Sequence, residues 1–424
     1  MTRSIPATGI NLFQSIYLLV REYQEKTGLP AMNLSLGNPD TVPVSALLEL
    51  QSRFARDPGF DYHTYGEDND LHGFAAAMVE LHSGVKVAEH PHLRVLPIPG
   101  IKTATAVVPL ACAPHLGARR REGFRLVSNL PAYDVVGTWG AAYLGVERLV
   151  WPLSSSENMR LTLPGLKAAL RAGKARRADL VFVIRPGNPG AVGASVEEWK
   201  ALIEHCIEHG TRLVNDGAYA GVAGERHVPL AAVAKDYPEL EWLELYSVSK
   251  SFSDPGARLG ALVGSKDFVE DFVMIKGNTE SGPVPYVMAA YGTFFEDRAA
   301  AKAAMEKLRL MYERRLEYVI PRLEAAGLRP ACRTEAGFFT LWKVPKRAFG
   351  AALAEDPRTQ GMNPHQAFNR LVIDETGIVG VHFEGPLVDG EREAFIRYAV
   401  CTDVLDPKFQ ARFEEQLARM RPEY

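Results

Sequence analysis

The chain has 424 residues, of which 47% are hydrophobic and 23% charged, and its formal net charge is −3. That length suggests about two domains with capacity for a large core, and the nearly balanced charge gives no basic face for nucleic acid or an anionic membrane. Cys112, Cys206, Cys332 and Cys401 are scattered without C-x-x-C spacing, so neither a zinc site nor a disulfide framework is indicated, and a reducing cytoplasm is the expected setting.

Residues 1–6 lack an apolar signal core, and residues 13–23 are too short and too polar to cross a bilayer. Leu12, Ile16, Leu19, Val20 and Tyr23 repeat at helical spacing over 11–26, and Gly28-Leu29-Pro30 stops that helix. A short strand over 33–37 then runs into a turn at Gly37-Asn38-Pro39-Asp40, where a glycine lets a ligand approach the backbone. Tyr62 to Gly66 reads as an aromatic exposed loop, followed by a helix from near Asp70. His63 and His72 fit surface or helix-end positions better than ligand positions.

Beyond 94 the pattern becomes regular. Strands are expected at 94–98, 124–128, 146–151, 179–185, 211–214, 242–246 and 259–263. Helices are expected from Gly100 to about Cys112, and at 133–144, 163–171 and 195–208; the last carries a capping box, Ser195 with Glu198 three residues on. Near-continuous apolar strands alternating with helices specify an α/β fold whose mostly parallel sheet is covered on both faces. After Pro285 a long helix over 298–326 precedes strands at 337–344, 378–382 and 395–401 and a last helix at 408–420. The expected division is a large domain over 46–295 and a smaller α/β domain formed by 1–45 with 296–424.

Ligands of open parallel sheets sit at the carboxyl ends of the strands, so the residues after each strand carry the information. Gly100 to Thr103 opens a helix with free N–H groups suited to an anion, although an ordinary βα turn looks the same. Lys250, between Trp242–Tyr246 and Leu259–Val263, is an amine at the end of a buried strand, where desolvation and the nearby Arg258 lower its pKa. Ser247, Ser249 and Arg258 match the oxygens of a phosphate.

Pyridoxal phosphate finds a candidate for each of its needs in this set. Lys250 supplies the amine for its aldehyde, Asp216 a partner for its pyridine nitrogen, Tyr219 and Asn188 bonds to its phenolic oxygen, and Tyr133 a ring to stack on. Ser247, Arg258 and the amides of Ile101 and Lys102 supply the phosphate grip. The competing nicotinamide reading rests on Gly187, Gly190 and Gly193, whose spacing is wrong for G-x-G-x-x-G.

Ser247-Val248-Ser249-Lys250 with Gly256-Ala257-Arg258-Leu259-Gly260, preceded by Asn215-Asp216-Gly217-Ala218-Tyr219 and Gly187-Asn188-Pro189, resembles the class I/II aminotransferases of the fold-type I pyridoxal-phosphate enzymes, in the right order from about Leu34 to Thr402. The resemblance implies the cofactor roles just given. It also implies that Arg397 clamps the substrate α-carboxylate with Gly37 assisting through its backbone, and that Asn188 touches the substrate too. Tyr65 resembles the tyrosine that reaches the phosphate of the neighbouring subunit, which implies a homodimer with shared sites. The implied reaction moves an amino group from an L-amino acid to a 2-oxo acid. Other pyridoxal-phosphate chemistry (lyase, decarboxylase or oxidase) and an aminotransferase-like sensing module are the alternatives. Three departures stand out: the family's Asn-Pro-Thr-Gly is here Asn188-Pro189-Gly190-Ala191; the preceding strand ends in Arg185, a specificity or structural residue; and the usual Gly then Leu-Arg after Tyr65-Gly66 is blurred into Asp68-Asn69-Asp70-Leu71-His72. The loop Gly277 to Gly282 hints at polar or dicarboxylic substrates.

Overall fold

The computed structural model describes residues 12–112, 124–133, 135–388 and 390–424. Residues 1–6, read above for a signal, lie outside them, as do Asn11, at the start of the expected first helix, and Asp134, in the second residue of the helix expected over 133–144.

Among the described residues, seven strands form the central sheet: Leu93–Ile98 (β1), Arg125–Leu130 (β2), Glu147–Pro152 (β3), Leu180–Ile184 (β4), Arg212–Asp216 (β5), Trp242–Ser247 (β6) and Gly260–Ser265 (β7). Their order across the sheet is β1-β7-β6-β5-β4-β2-β3. All neighbours pair in parallel except β7, which runs antiparallel to both β1 and β6. The segment from β6 to β7, which holds Lys250 and Arg258, forms only the short turns Val248–Ser251 and Pro255–Ala257 rather than a covering helix, and β7 runs back against β6.

Alternation along the strands feeds two cores. Val127, Val181, Val183 and Leu213 face one, and Leu126, Leu180, Phe182, Val214, Leu243 and Leu245 face the other. Helices Phe74–Ser83, Leu163–Ala172 and Val196–His209 close the first face, and Ile101–Ala111 and Lys266–Lys276 the second. At about 1.5–3 kcal/mol per fully buried aliphatic side chain, this double covering makes the sheet a rigid platform for the loops at its edge.

A further core gathers Tyr312, Leu316, Val319 and Leu323 of the long helix Arg298–Ala325 with Phe339 and Trp342 of β8 (Phe339–Lys343), Leu371 and Val372 of helix Pro364–Thr376, and Ile396 and Tyr398. Val381–Val388 (β9) and Glu391–Ala399 (β10) complete a three-stranded antiparallel sheet in the order β9-β10-β8. Met32 and Leu34 join this core.

Most expected elements of the central sheet appear with shifts of a residue or two, and the capping box is present, with Ser195 Oγ accepting from Glu198 N. The later elements differ more: the strand expected over 395–401 is Glu391–Ala399, the one over 378–382 is split between Ile378–Val379 and Val381–Val388, the last helix ends at Leu417, and the helix expected from near Asp70 begins at Phe74. The strand expected over 33–37 is reduced to Met32–Asn33, paired with Ile378–Val379, because Leu36 and Gly37 turn toward the cavity described below. Helices Ser45–Arg56, Leu230–Ala234, Lys266–Lys276 and Pro285–Glu296 were not anticipated. The last is apolar nearly all round, with Val287, Met288, Ala289, Ala290, Tyr291, Phe294 and Phe295 buried, so it lacks the one-sided pattern that marks a surface helix.

Candidate active site

The carboxyl ends of β1, β2, β4, β5 and β6 converge on one cavity of about 380 Å³. Gly37, Ile101, Lys102, Tyr133, Asn188, Asp216, Tyr219, Ser247, Lys250, Arg258 and Arg397 all line it. The strands fix where each loop starts, so residues up to 360 positions apart in sequence share one small volume.

Lys250 sits in a single helical turn, Val248–Ser251, capped by Ser247, whose Oγ accepts from Ser249 N at 3.1 Å. Its Nζ donates to the Gly37 carbonyl at 2.6 Å. Burial, reinforced by Arg397 and Arg258 and partly opposed by Cys401, pulls its pKa down to about 8. At that value a sizeable fraction of the amine is neutral and nucleophilic near neutral pH.

Asp216 ends β5. Its Oδ1 accepts from Ala218 N at 3.0 Å, and burial pushes its pKa up to about 6. A carboxylate held in so poorly solvated a place is suited to a cationic partner.

A chain of hydrogen bonds crosses the cavity wall. Asn188 Nδ2 donates to Tyr219 Oη at 3.1 Å, Arg397 Nη1 donates to Asn188 Oδ1 at 2.7 Å, and Arg397 Nη2 donates to Ser35 O at 2.5 Å. The guanidinium lies 4.2 Å from the Phe339 ring centroid, and Gly37 is glycine because a Cβ there would lie 2.7 Å from that same ring. Arg397 is 2% exposed, its pKa is lowered by burial to about 10, and its Nε has no hydrogen-bond partner among the described residues. A buried cation that meets only neutral groups is suited to an anionic ligand.

Ser247 Oγ lies 2.9 Å from Ser249 Oγ, and the helix Ile101–Ala111 starts at the same cavity with its unpaired N–H groups. Gly100 has φ +88°, and a Cβ there would lie 2.7 Å from Arg258 Nη2. Glycine therefore lets the guanidinium settle beside the helix start. Hydroxyls, a guanidinium and a helix N-terminus form a phosphate cradle, and with a carboxylate and an amine lining the same cavity this donor set fits pyridoxal phosphate.

The sequence model described as aminotransferase class I and II matches residues 30–408. The chain belongs to that family. This aminotransferase therefore uses pyridoxal phosphate to move an amino group from an amino acid to a 2-oxo acid. It is 27% identical to an LL-diaminopimelate aminotransferase of Syntrophobacter fumaroxidans, over 97% of this chain and 95% of that one. Its fold matches the aspartate aminotransferase of Rhizobium meliloti with TM-score 0.76 and 18% identity, over 99% of both chains. The aspartate aminotransferase of Thermus thermophilus with maleate gives TM-score 0.74 and 18% identity, again over 99% of both.

Tyr65, expected at the phosphate of a neighbouring subunit, and Arg185 do not line the cavity of this chain. Tyr65 is 74% exposed. Arg185 turns away from the cavity, donating from Nη1 to Val192 O at 3.3 Å and from Nη2 to Met159 O at 2.5 Å. The glycines at 187, 190 and 193 open no helix, since the next begins at Val196. Thr105, Asn38 and Leu36 line the cavity as well. Thr105 lies one turn beyond Ile101, so its place followed from the helix period once the start of that helix was known.

Proposed function

We propose that the cavity is the catalytic site, with Lys250 holding the cofactor and moving the proton, Asp216 facing the pyridine nitrogen, and Arg397 gripping the substrate α-carboxylate. The observation that carries this reading is the convergence of an amine with a lowered pKa, a buried carboxylate and a buried guanidinium on one cavity. Pyridoxal phosphate, when bound, supplies an electron-poor ring that accepts the electron pair left on the substrate α-carbon. Asp216 keeps a proton on the ring nitrogen. Tyr219 and Asn188 bond to the phenolic oxygen, and Tyr133 covers the ring face. Ser247, Ser249, Arg258 and the Ile101 and Lys102 amides hold the phosphate.

In this scheme the incoming carboxylate pairs with Arg397, already oriented by Asn188 and Ser35. Lys250 Nζ, neutral after release from the cofactor, would take the α-proton as base and deliver it as acid to the former aldehyde carbon of the cofactor rather than back to the α-carbon. Gly37 keeps its carbonyl against Lys250 and its backbone beside the carboxylate.

Tyr65, exposed in the single chain, would reach the phosphate of a second copy, giving a homodimer with shared sites. A cytoplasmic location is supported by four cysteines that are all unpaired. Among the described residues no helix is long and apolar enough to cross a membrane. We further propose a polar or dicarboxylic amino-acid substrate, with diaminopimelate among the first to try, since the curated relative above is named for it. Amino acids offered singly to the cofactor-loaded protein, with the lysine-bound absorption followed, test this. A dicarboxylic or diamino substrate should bleach that absorption fastest, and a preference for aromatic or small apolar amino acids would overturn the substrate assignment.

A further inference from the structure

Helix Val196–His209 ends in His205-Cys206-Ile207-Glu208-His209, a segment the aminotransferase chemistry does not use. Residues four apart share one face of a helix, and His205, Glu208 and His209 each offer a ligand atom within 4.8 Å of the other two. The two imidazole centroids are 4.2 Å apart.

Their hydrogen bonding leaves nitrogen lone pairs free. His209 Nδ1 lies 2.9 Å from the His205 carbonyl, which can only accept, so Nδ1 carries the proton and Nε2 is left with its lone pair. Metal-bound histidines are held in this way, with the other ring N–H donated to a carbonyl. His205 is 6% exposed, and its Nδ1 is buried with no partner among the described residues. A buried ring nitrogen without a partner is uncommon in a native fold.

We propose that His205, Glu208 and His209 bind a divalent transition metal of the zinc class. Tetrahedral zinc with nitrogen at about 2.0 Å sets its ligand atoms about 3.3 Å apart. Rotation of the exposed Glu208 side chain brings its carboxylate toward the two imidazoles while His209 keeps its bond to the His205 carbonyl. The site lies in the last helical turn, where the aligned peptide dipoles favour a cation. Lys167 also lies near His205. Lys167, and Arg177 bonded to His209 O at 3.3 Å, oppose the added charge, and Glu208 offsets them. Cysteine spacing gave no hint of this site because its nitrogen ligands are histidines.

Gly210 and Thr211 lead from the site into β5, whose other end carries Asp216, so roughly 13 Å of strand at 3.3 Å per residue separates metal and cavity. The metal therefore tightens the amino edge of the sheet and takes no part in transamination.

The test uses untagged, cofactor-loaded protein titrated with zinc against a chromophoric chelator, with thermal unfolding measured in parallel. The wild type should bind one zinc per chain in competition with the chelator, with a higher Tm in zinc. His209→Gln should lose about tenfold or more in zinc affinity and lose the Tm response, while keeping the wild-type Tm without metal and the wild-type turnover. Glu208→Gln should weaken binding less. Equal zinc affinity in wild type and His209→Gln, or no competition with the chelator by the wild type, overturns the proposal.

Discussion

Asp216→Asn separates the carboxylate's role in the reaction from its effect on the fold. Burial raises the Asp216 pKa from 3.8 to about 6, and at 1.36 kcal/mol per unit the buried charge costs the cofactor-free fold roughly 3 kcal/mol. The sign follows from linkage. A carboxyl whose folded pKa lies above its unfolded pKa binds more protons in the native state, so stability falls as pH rises from 3.8 to about 6 and the full cost stands above that window. Asparagine keeps an oxygen for the Ala218 N–H and carries no charge. Cofactor-free Asp216→Asn protein should therefore be more stable than wild type at pH 8, by up to roughly 3 kcal/mol, with the difference shrinking as pH falls through the window. Urea unfolding of both cofactor-free proteins at several pH values measures this, and turnover of the loaded proteins should meanwhile collapse for the variant. A variant no more stable than wild type at pH 8 would refute the desolvation argument, and unchanged turnover would refute the placement of the ring nitrogen.

Other consequences are as direct. Lys250→Ala should abolish both turnover and the visible absorption of lysine-bound cofactor, and a purified variant retaining that absorption contradicts the assignment. With its pKa lowered to about 8, Lys250 gains neutral amine as pH rises through that value, so capture of added cofactor by cofactor-free protein should accelerate between about pH 7 and pH 9; stopped-flow absorbance reads it, and a flat profile counts against the lysine. Arg397→Lys loses the forked geometry that bonds Asn188 and Ser35 together, and KM for the amino acid should rise about tenfold or more, equivalent to about 1.4 kcal/mol; a KM within twofold of wild type would remove Arg397 from carboxylate binding. Tyr65→Phe should weaken cofactor binding, and mixing it with Lys250→Ala protein should restore activity in hybrids that assemble one intact site. No recovery after mixing would argue against sites shared between subunits.

Much of the site was legible because its residues follow strands, and apolar strands announce themselves in sequence. Lys250, Asp216, Asn188, Tyr133, Ile101 and Lys102 each occupy the first few positions beyond an expected strand end, and all line the cavity. The unanticipated helices were harder to read; the clearest, Pro285–Glu296, is apolar nearly all round, and burial on every side erases the periodic contrast that reveals a helix. Arg185 shows the matching limit for a single residue, since the sequence left it open as a specificity or structural residue and only its bonds to Val192 O and Met159 O favour the structural role.

The order of strands and helices, the mostly parallel sheet and the chemical character of each loop were determined by the sequence alone, because hydrophobic period and turn chemistry act over a few neighbouring residues. Tertiary structure decided the reversed direction of β7 and the partners of Arg397. It also decided the meeting of Lys250 with Gly37 and the turning of Arg185 away from the cavity. Arg397 and Ser35 are 362 positions apart, and no local pattern encodes a contact that exists only after two separate cores have packed and brought their edges together.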